Sequence, residues 1–292
     1  MARKFCAQIK ALPIPARRRA DRPGLLGLGQ TRPLVLVGQP GKRSPRLRPE
    51  RPRTRLVSRE HGFHGQCLQS PGETILTAYF PPPDNGLTLI HVDSEIIVVD
   101  KPSGLLSVPG RGEGMDDCLA SRVQARFPDA LIAHRLDMST SGLLILARGA
   151  EMHSRLSRFF RDRQIDKRYV AVVAGLMAEE SGEIALPLIC DWPNRPRQKV
   201  DFDIGKPSLT HFRVVSRDAT AHTTRLELEP VTGRSHQLRV HLASLGHPIL
   251  GDDLYGGEAT ALADRLLLHA TDLSLLHPAT GAPLQFHSDA PF

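Results

Sequence analysis

The chain has 292 residues, 40% of them hydrophobic, 24% charged and only 5% aromatic, with a single Trp. That is ample for one sizeable core or two fused lobes, and no apolar run approaches the roughly 18–20 residues a bilayer-spanning helix needs, so a soluble, cytoplasmic protein is expected. The formal charge of +7 is unevenly held: residues 1–59 carry 16 Lys and Arg against 2 acids, whereas residues 60–292 carry 22 against 29. An acidic body can meet a polyanion only through a local basic patch.

Residues 1–60 are rich in Arg, Pro and Gly, from Arg17-Arg18-Arg19 to the run Lys42–Arg59. Such a segment has little to bury and is expected to be disordered. It reads as a basic RNA-binding arm, as an Arg-rich transit peptide, which its many prolines oppose, or as an extension from a start placed too far upstream. Residues 61–87 form a Pro- and Gly-containing approach, and 88–292 the body.

The body opens on two short β-branched runs, Leu89–Val92 and Ile96–Val99, interrupted by Lys101-Pro-Ser-Gly104. A helix is predicted around 116–127 and a buried strand over Gly142–Ala147. A second helix over 151–163 places Leu156, Phe159 and Phe160 on one face and Arg155, Arg158 and Arg161 on the other. Strands are predicted at Tyr169–Val173, 210–215 and 223–229. A third helix is predicted to start at Ser235 as N-cap, with Leu238, Leu242 and Leu245 on one stripe and Gly246 stopping it. Strands and helices mix without a βαβ rhythm, so the expected class is α+β with a central mixed, mostly antiparallel sheet flanked by helices.

Three stretches carry chemistry. His134-Arg-Leu-Asp137-Met-Ser-Thr-Ser-Gly142 sets a carboxylate in a polar loop that runs into an apolar strand, a rigid support for a reacting group. By composition alone it is equally a turn with a capping Asp. Thr232-Gly-Arg234-Ser-His-Gln-Leu-Arg239 puts Arg234 at a helix N-terminus, where the backbone favours anions. Lys167-Arg-Tyr169 places a lone Tyr at a strand start. The four cysteines, at 6, 67, 118 and 190, stand singly, and His236 and His241 lie five residues apart on a helix, pointing in different directions. No metal is expected. Gly110-Arg-Gly-Glu-Gly114 lacks the ending of a phosphate-binding loop.

Together these stretches resemble the RluA family of pseudouridine synthases. HRLDMSTSGLLILA resembles that family's catalytic signature, and IIVVDKPSGLLSVPGR, KRYVAVVAG, PVTGRSHQLRVHLASLGHPILGDDLYG and RLLLHAT follow in the expected order over roughly residues 88–290. Within the family, LPLICDWPNRPRQKV and GKPSLT look like the member that acts on both tRNA and large-subunit rRNA. The resemblance implies a cofactor-independent isomerase acting as a monomer on structured RNA, on a tRNA anticodon stem-loop and a hairpin of the large-subunit (23S) rRNA. It implies that Asp137 is the essential aspartate, Tyr169 packs against the target ring and Arg234 pairs with Asp137. Arg135 enters the space the target base leaves, with His134 beside it, and Leu268 lines the pocket. Arg155, Arg158 and Arg197 are candidate phosphate contacts. The reaction breaks the N1–C1′ bond, turns the base and rejoins it through C5, so no group is gained or lost. The carboxylate can serve as nucleophile towards sugar or base, or as a base removing a sugar proton; the residue types leave all three routes open.

Overall fold

The computed structural model describes residues 34–37 and 79–292; the expectations for the rest of 1–60 and for 61–78 lie outside these residues. Leu34–Val37 (β1), a short apolar run in the Arg/Pro-rich segment, forms an edge strand, where the sequence predicts no ordered contribution. The body then runs Thr88–Val92 (β2), Ile96–Lys101 (β3), Leu119–Arg126 (α1), Ala130–Ile132 (β4), Ser141–Arg148 (β5) and Gly149–Arg161 (α2). It continues through Asp166–Ala174 (β6), Ser181–Ala185 (β7), Leu188–Cys190 (β8), Gln198–Val200 (β9), Thr210–Asp218 (β10), Thr223–Pro230 (β11), Gln237–Ser244 (α3), Leu268–Leu276 (β12) and Pro283–His287 (β13).

One large sheet has the order β1-β7-β10-β11-β6-β12-β5-β3-β2, with β13 beside β12 and β4 beside β5. Only β1–β7 and β12–β5 pair in parallel. The α+β class and the mostly antiparallel sheet are therefore as the sequence predicts. β8 and β9 stand apart as a two-stranded hairpin.

The halves of the sheet are covered differently, and the sequence shows why. β3 and β5 are continuous apolar runs because both faces are covered: Ile96, Val98, Leu143 and Ile145 pack with Met152 and Leu156 of α2, while Ile97, Val99, Leu144 and Leu146 pack with Leu119 and Val123 of α1. β11 instead alternates, with Leu226 and Leu228 buried under Leu238 and Leu242 of α3. Tyr169 of β6 packs against both the α1-side and the α3-side cores, so the halves meet at that side chain.

The join demands one glycine. β5 pairs with β12 only at Ser141 and Gly142, then diverges to β4 from Leu146. At Gly142 the backbone has φ +111°, and an added Cβ would lie 2.4 Å from the Ala270 carbonyl oxygen, a contact no side chain tolerates. In the gap between β12 and β4 the open Ile145 N–H is taken by His134 Nε2 at 3.0 Å, which is how an edge amide stays satisfied where neighbouring strands part.

Gly142→Ala combines a positive φ with a backbone clash and is expected to cost about 3–5 kcal/mol of unfolding free energy. Gly246→Ala, also at positive φ but facing open space, should cost about 1 kcal/mol. Urea titrations of both variants check the difference.

Candidate active site

A cleft of about 520 Å³ opens between the two halves of the sheet. Its walls are the loop from His134 to Thr140, the C-terminal end of α2 with Phe160, Arg161 and Arg163, the start of β6 with Lys167 and Tyr169, the loop Pro230–His236, and Arg239 and Leu268. Asp137, Tyr169, Arg135, His134, Arg234 and Leu268, far apart in sequence, all line it.

Asp137 is held from behind by the Lys101–Ser107 loop. Lys101 is fully buried, and its Nζ donates to the carbonyls of Pro102 (2.8 Å), Leu105 (2.7 Å) and Met138 (3.0 Å). Those three acceptors match the three donors of an ammonium. Burial draws the amine's pKa down to about 7, against the pull of the Asp137 carboxylate. Gly104 N–H also donates to Met138 O, Ser103 Oγ to Ser139 O, and Ser107 Oγ to Leu136 O while accepting from Leu136 N–H. Every residue from Leu136 to Ser139 except Asp137 itself is thus fixed through its backbone to this loop.

From the front, Asp137 faces Arg239. Arg239 is 2% exposed and forks onto Asp252, Nε to Oδ2 at 2.8 Å and Nη2 to Oδ1 at 2.6 Å, with Nη2 also on Asp253 Oδ1 at 2.8 Å. Its remaining Nη1 lies 3.8 Å from Asp137 Oδ2. Burial opposes the guanidinium charge, but the hydrogen bonds and charge of Asp252, with Asp137 and Asp253 beyond, hold its pKa above the ordinary value.

This corrects the expected pairing. Arg234 is exposed and its Nε donates to the Pro207 carbonyl at 3.2 Å; the arginine that faces Asp137 comes five residues later. The reason is local. The helix does not begin with Ser235 as N-cap: α3 starts at Gln237 after His236, whose φ is +53°. Gln237 pins the preceding loop, its Oε1 accepting from Thr232 Oγ1 at 2.6 Å and from Arg234 N–H at 3.1 Å. The loop therefore carries Arg234 to the rim and the helix carries Arg239 inside.

His236 completes the inner wall. Gln198 N–H donates to Tyr255 Oη at 2.7 Å, and the same hydroxyl pairs with His236 Nδ1, also at 2.7 Å. The other ring nitrogen, Nε2, lies 4.0 Å from Asp137 Oδ1. Burial keeps the ring's pKa below its ordinary value although Asp137 pulls it up. Burial, and then the Asp137 charge, push the Tyr169 phenol well up, so it stays protonated against the carboxylate.

The other expected contacts divide. His134 lines the cleft but is occupied as the β5 cap and stacks on Phe160 at 4.2 Å; burial takes its pKa down to about 3. It is a neutral structural ring, with Nε2 unavailable to substrate. Arg135 is exposed at the mouth. Arg155 faces Glu151 and the Pro278 carbonyl, and neither it nor Arg158 lines the cleft; Arg161 and Arg163 of the same helix end do. Arg197 lies over the Tyr255 ring on the β8–β9 hairpin. Among the described residues no group of three or more His, Cys, Asp or Glu is placed to hold a metal ion, and no helix is long and apolar enough to cross a membrane.

Residues 95–244 match the family described as RNA pseudouridylate synthase. The chain is 50% identical over 215 residues to the dual-specificity RNA pseudouridine synthase RluA of Escherichia coli K12, covering 73% of this chain and 98% of that one. It is 52% identical over 204 residues to the Vibrio cholerae RluA, covering 70% and 82%. The chain belongs to the RluA family of pseudouridine synthases. In three dimensions it is similar to human RNA pseudouridylate synthase domain containing 1, with TM-score 0.62 and 29% identity over 73% of this chain and 87% of that one. As a member of the family, the protein is an isomerase that converts uridine to pseudouridine in RNA.

Lys101, Arg239, His236, Tyr255 and Asp252 were not predicted as site residues. A signal existed for two of them. A Lys ending the run Ile96–Asp100, and an Arg flanked by Leu238 and Val240, are charges in apolar surroundings, and buried charges need partners.

Removing one partner of a buried ion pair costs about 3–5 kcal/mol, so Arg239→Ala would report mainly on folding. Arg239→Lys keeps the charge but cannot fork; kcat should fall by about 100-fold or more in a protein that still folds. Arg234→Ala should alter KM and leave kcat within about threefold. Steady-state kinetics on a stem-loop RNA check both.

Proposed function

We propose that this enzyme isomerises uridines in two RNAs, a tRNA anticodon stem-loop and a hairpin of the large-subunit (23S) rRNA, as a cytoplasmic monomer, with Asp137 as the reacting carboxylate. The observation that carries the assignment of Asp137 is its setting: neighbours' backbone held by the Lys101 loop, carboxylate faced by Arg239 at 3.8 Å, and Tyr169 on the same cleft wall. The dual substrate follows the relatives named for that specificity.

A target uridine must leave its stack before it can reach a carboxylate that is only 26% exposed. Unstacking costs a few kcal/mol, least in loops whose bases are already partly free. Arg135 at the mouth fills the vacated space and meets phosphates. Tyr169 and Leu268 receive the extruded ring, and the protonated phenol can donate to its edge. Arg239 keeps the carboxylate oriented while the N1–C1′ bond breaks, the base turns and C5 takes N1's place. The C5 proton then leaves to a base in the cleft, and N1, which kept the electron pair of the broken bond, takes up a proton.

Arg161, Arg163, Lys167 and Arg234 ring the opening and supply phosphate contacts on an otherwise acidic body. Arg163 supports this independently. It follows α2 with φ +57°, a position where Gly is the relaxed choice, so a long cation is held there at a conformational cost of about 1–2 kcal/mol.

Arg163→Gly should therefore keep or raise the melting temperature while weakening RNA binding, with a shallower dependence of affinity on salt. Thermal melts and binding titrations at several salt concentrations check this trade.

Asp137→Asn should abolish isomerisation and leave RNA affinity within about tenfold. Tritium release from 5-labelled uridine in RNA measures the first and a binding titration the second. Mapping pseudouridine in tRNA and 23S rRNA from cells lacking the protein tests the dual substrate: loss at one site in each RNA is expected, and loss in only one RNA limits the enzyme to that substrate.

A further inference from the structure

Among the described strands, β8 and β9 alone stand outside the large sheet, and the cleft does not account for their hairpin. Its turn, Trp192–Asn194 followed by Arg195-Pro-Arg197, carries the chain's single tryptophan. Trp192 is 66% exposed, and the Arg195 guanidinium lies over its ring at 4.6 Å from the centroid. An exposed indole at a hairpin tip gains nothing for the fold, since it buries little.

The backbone of the tip is nevertheless held in one shape. Asp191 N–H donates to Arg197 O at 2.9 Å, Asn194 N–H to Asp191 O at 2.9 Å, Arg197 N–H to Asn194 O at 3.0 Å, and the Asn194 side chain to Asp191 Oδ2 at 2.9 Å. The base of the hairpin is tied to the body by reciprocal bonds between Leu188 and Lys206, at 2.9 and 2.8 Å. Its second strand is tied to the active site through the Gln198 amide on Tyr255, whose ring also stacks under Arg239 at 5.3 Å. Two hydrogen bonds thus join the hairpin to His236, which faces Asp137. The charge is local too: within Leu188–Val200 the cations Arg195, Arg197 and Lys199 outnumber the single acid Asp191, with Asp201 next in the chain beside Lys199, on a body whose acids outnumber its bases.

We infer that the Trp192–Arg195 pair is a stacking platform for an unpaired nucleotide of the substrate RNA, outside the cleft that takes the target uridine; this rests on the RNA-modifying reading of that cleft. Arg195 covers one side of the indole and leaves the rest open for a base. Every base has a π-face, so the platform takes a loop nucleotide with little regard to its identity, while the neighbouring cations meet its phosphates. Because the turn that carries the ring is already fixed, stacking on it requires no ordering of the backbone. The platform therefore contributes to choosing and holding the RNA, and not to the chemical step.

Trp192 is the only tryptophan, so the full chain's intrinsic fluorescence reads this position alone. Titrating a stem-loop RNA whose binding is followed separately by anisotropy of an end label should quench the emission in step with binding. Trp192→Ala should raise KM for that RNA about tenfold and leave kcat within about twofold, with unchanged melting temperature, and Trp192→Phe should recover most of the loss. Asp137→Asn should show the same quenching, since stacking precedes chemistry. RNA binding without any change in emission, or an unaltered KM in Trp192→Ala, overturns the platform and leaves the enzyme assignment standing. Absence of both RNA binding and isomerisation in the wild-type chain overturns the two together.

Discussion

The structure depends on one buried cation. Lys101 ends an apolar strand with no exposure to water, and its ammonium spends its three donors on backbone carbonyls from two segments, the loop that follows it and the loop that carries Asp137. A carbonyl left without that partner would cost about 1–3 kcal/mol in such a site. The two loops therefore stand or fall together, and Ser103, Gly104 and Ser107 extend the same seam. Asp137 is thus held in place by bonds to its neighbours' backbone, which leave its own side chain free to face the cleft.

The second anchor approaches from the other half of the sheet. Arg239 sits in a helix with no solvated face and is committed to Asp252 through a planar fork. The fork leaves one amino group, and its direction is dictated by the other two nitrogens. Positioning the carboxylate from behind by one half and from the front by the other makes the cleft a property of how the halves join. Tyr169, packed into both cores, and Gly142, where β5 and β12 come within backbone contact, define that join. This is preorganisation in a concrete sense: the charges face the reacting position before RNA arrives, so little reorganisation remains for the chemical step.

Much of the body was legible because its strands and helices obey strong local rules. The unbroken apolar run at 142–147 requires cover on both faces, and α1 and α2 supply it. The Leu156/Phe159/Phe160 face of the second helix packs as its period demands. The start of the third helix was misread because Ser235 is a good N-cap by type, whereas the structure puts His236 there at positive φ and satisfies the loop through Gln237 instead. That shift is why Arg239, and not Arg234, faces Asp137. The Leu34–Val37 strand was hidden by its surroundings, since composition over sixty residues outweighs a four-residue run.

The family could be read from the chain alone, because its motifs are continuous in sequence, and those motifs singled out Asp137, Tyr169 and Leu268, which the fold brings to one cleft. What faces Asp137 could not be read, because a guanidinium reaches its carboxylate across the cleft from a residue a hundred positions away, and several arginines were chemically equivalent candidates. Only the packing of α3 under β11 chose Arg239, only the crossing of β5 over β12 required His134 as a backbone cap, and only the fold brought Lys101 beneath the loop it holds. Each is a contact between distant segments, decided by which apolar faces bury one another and which buried charges that burial forces together.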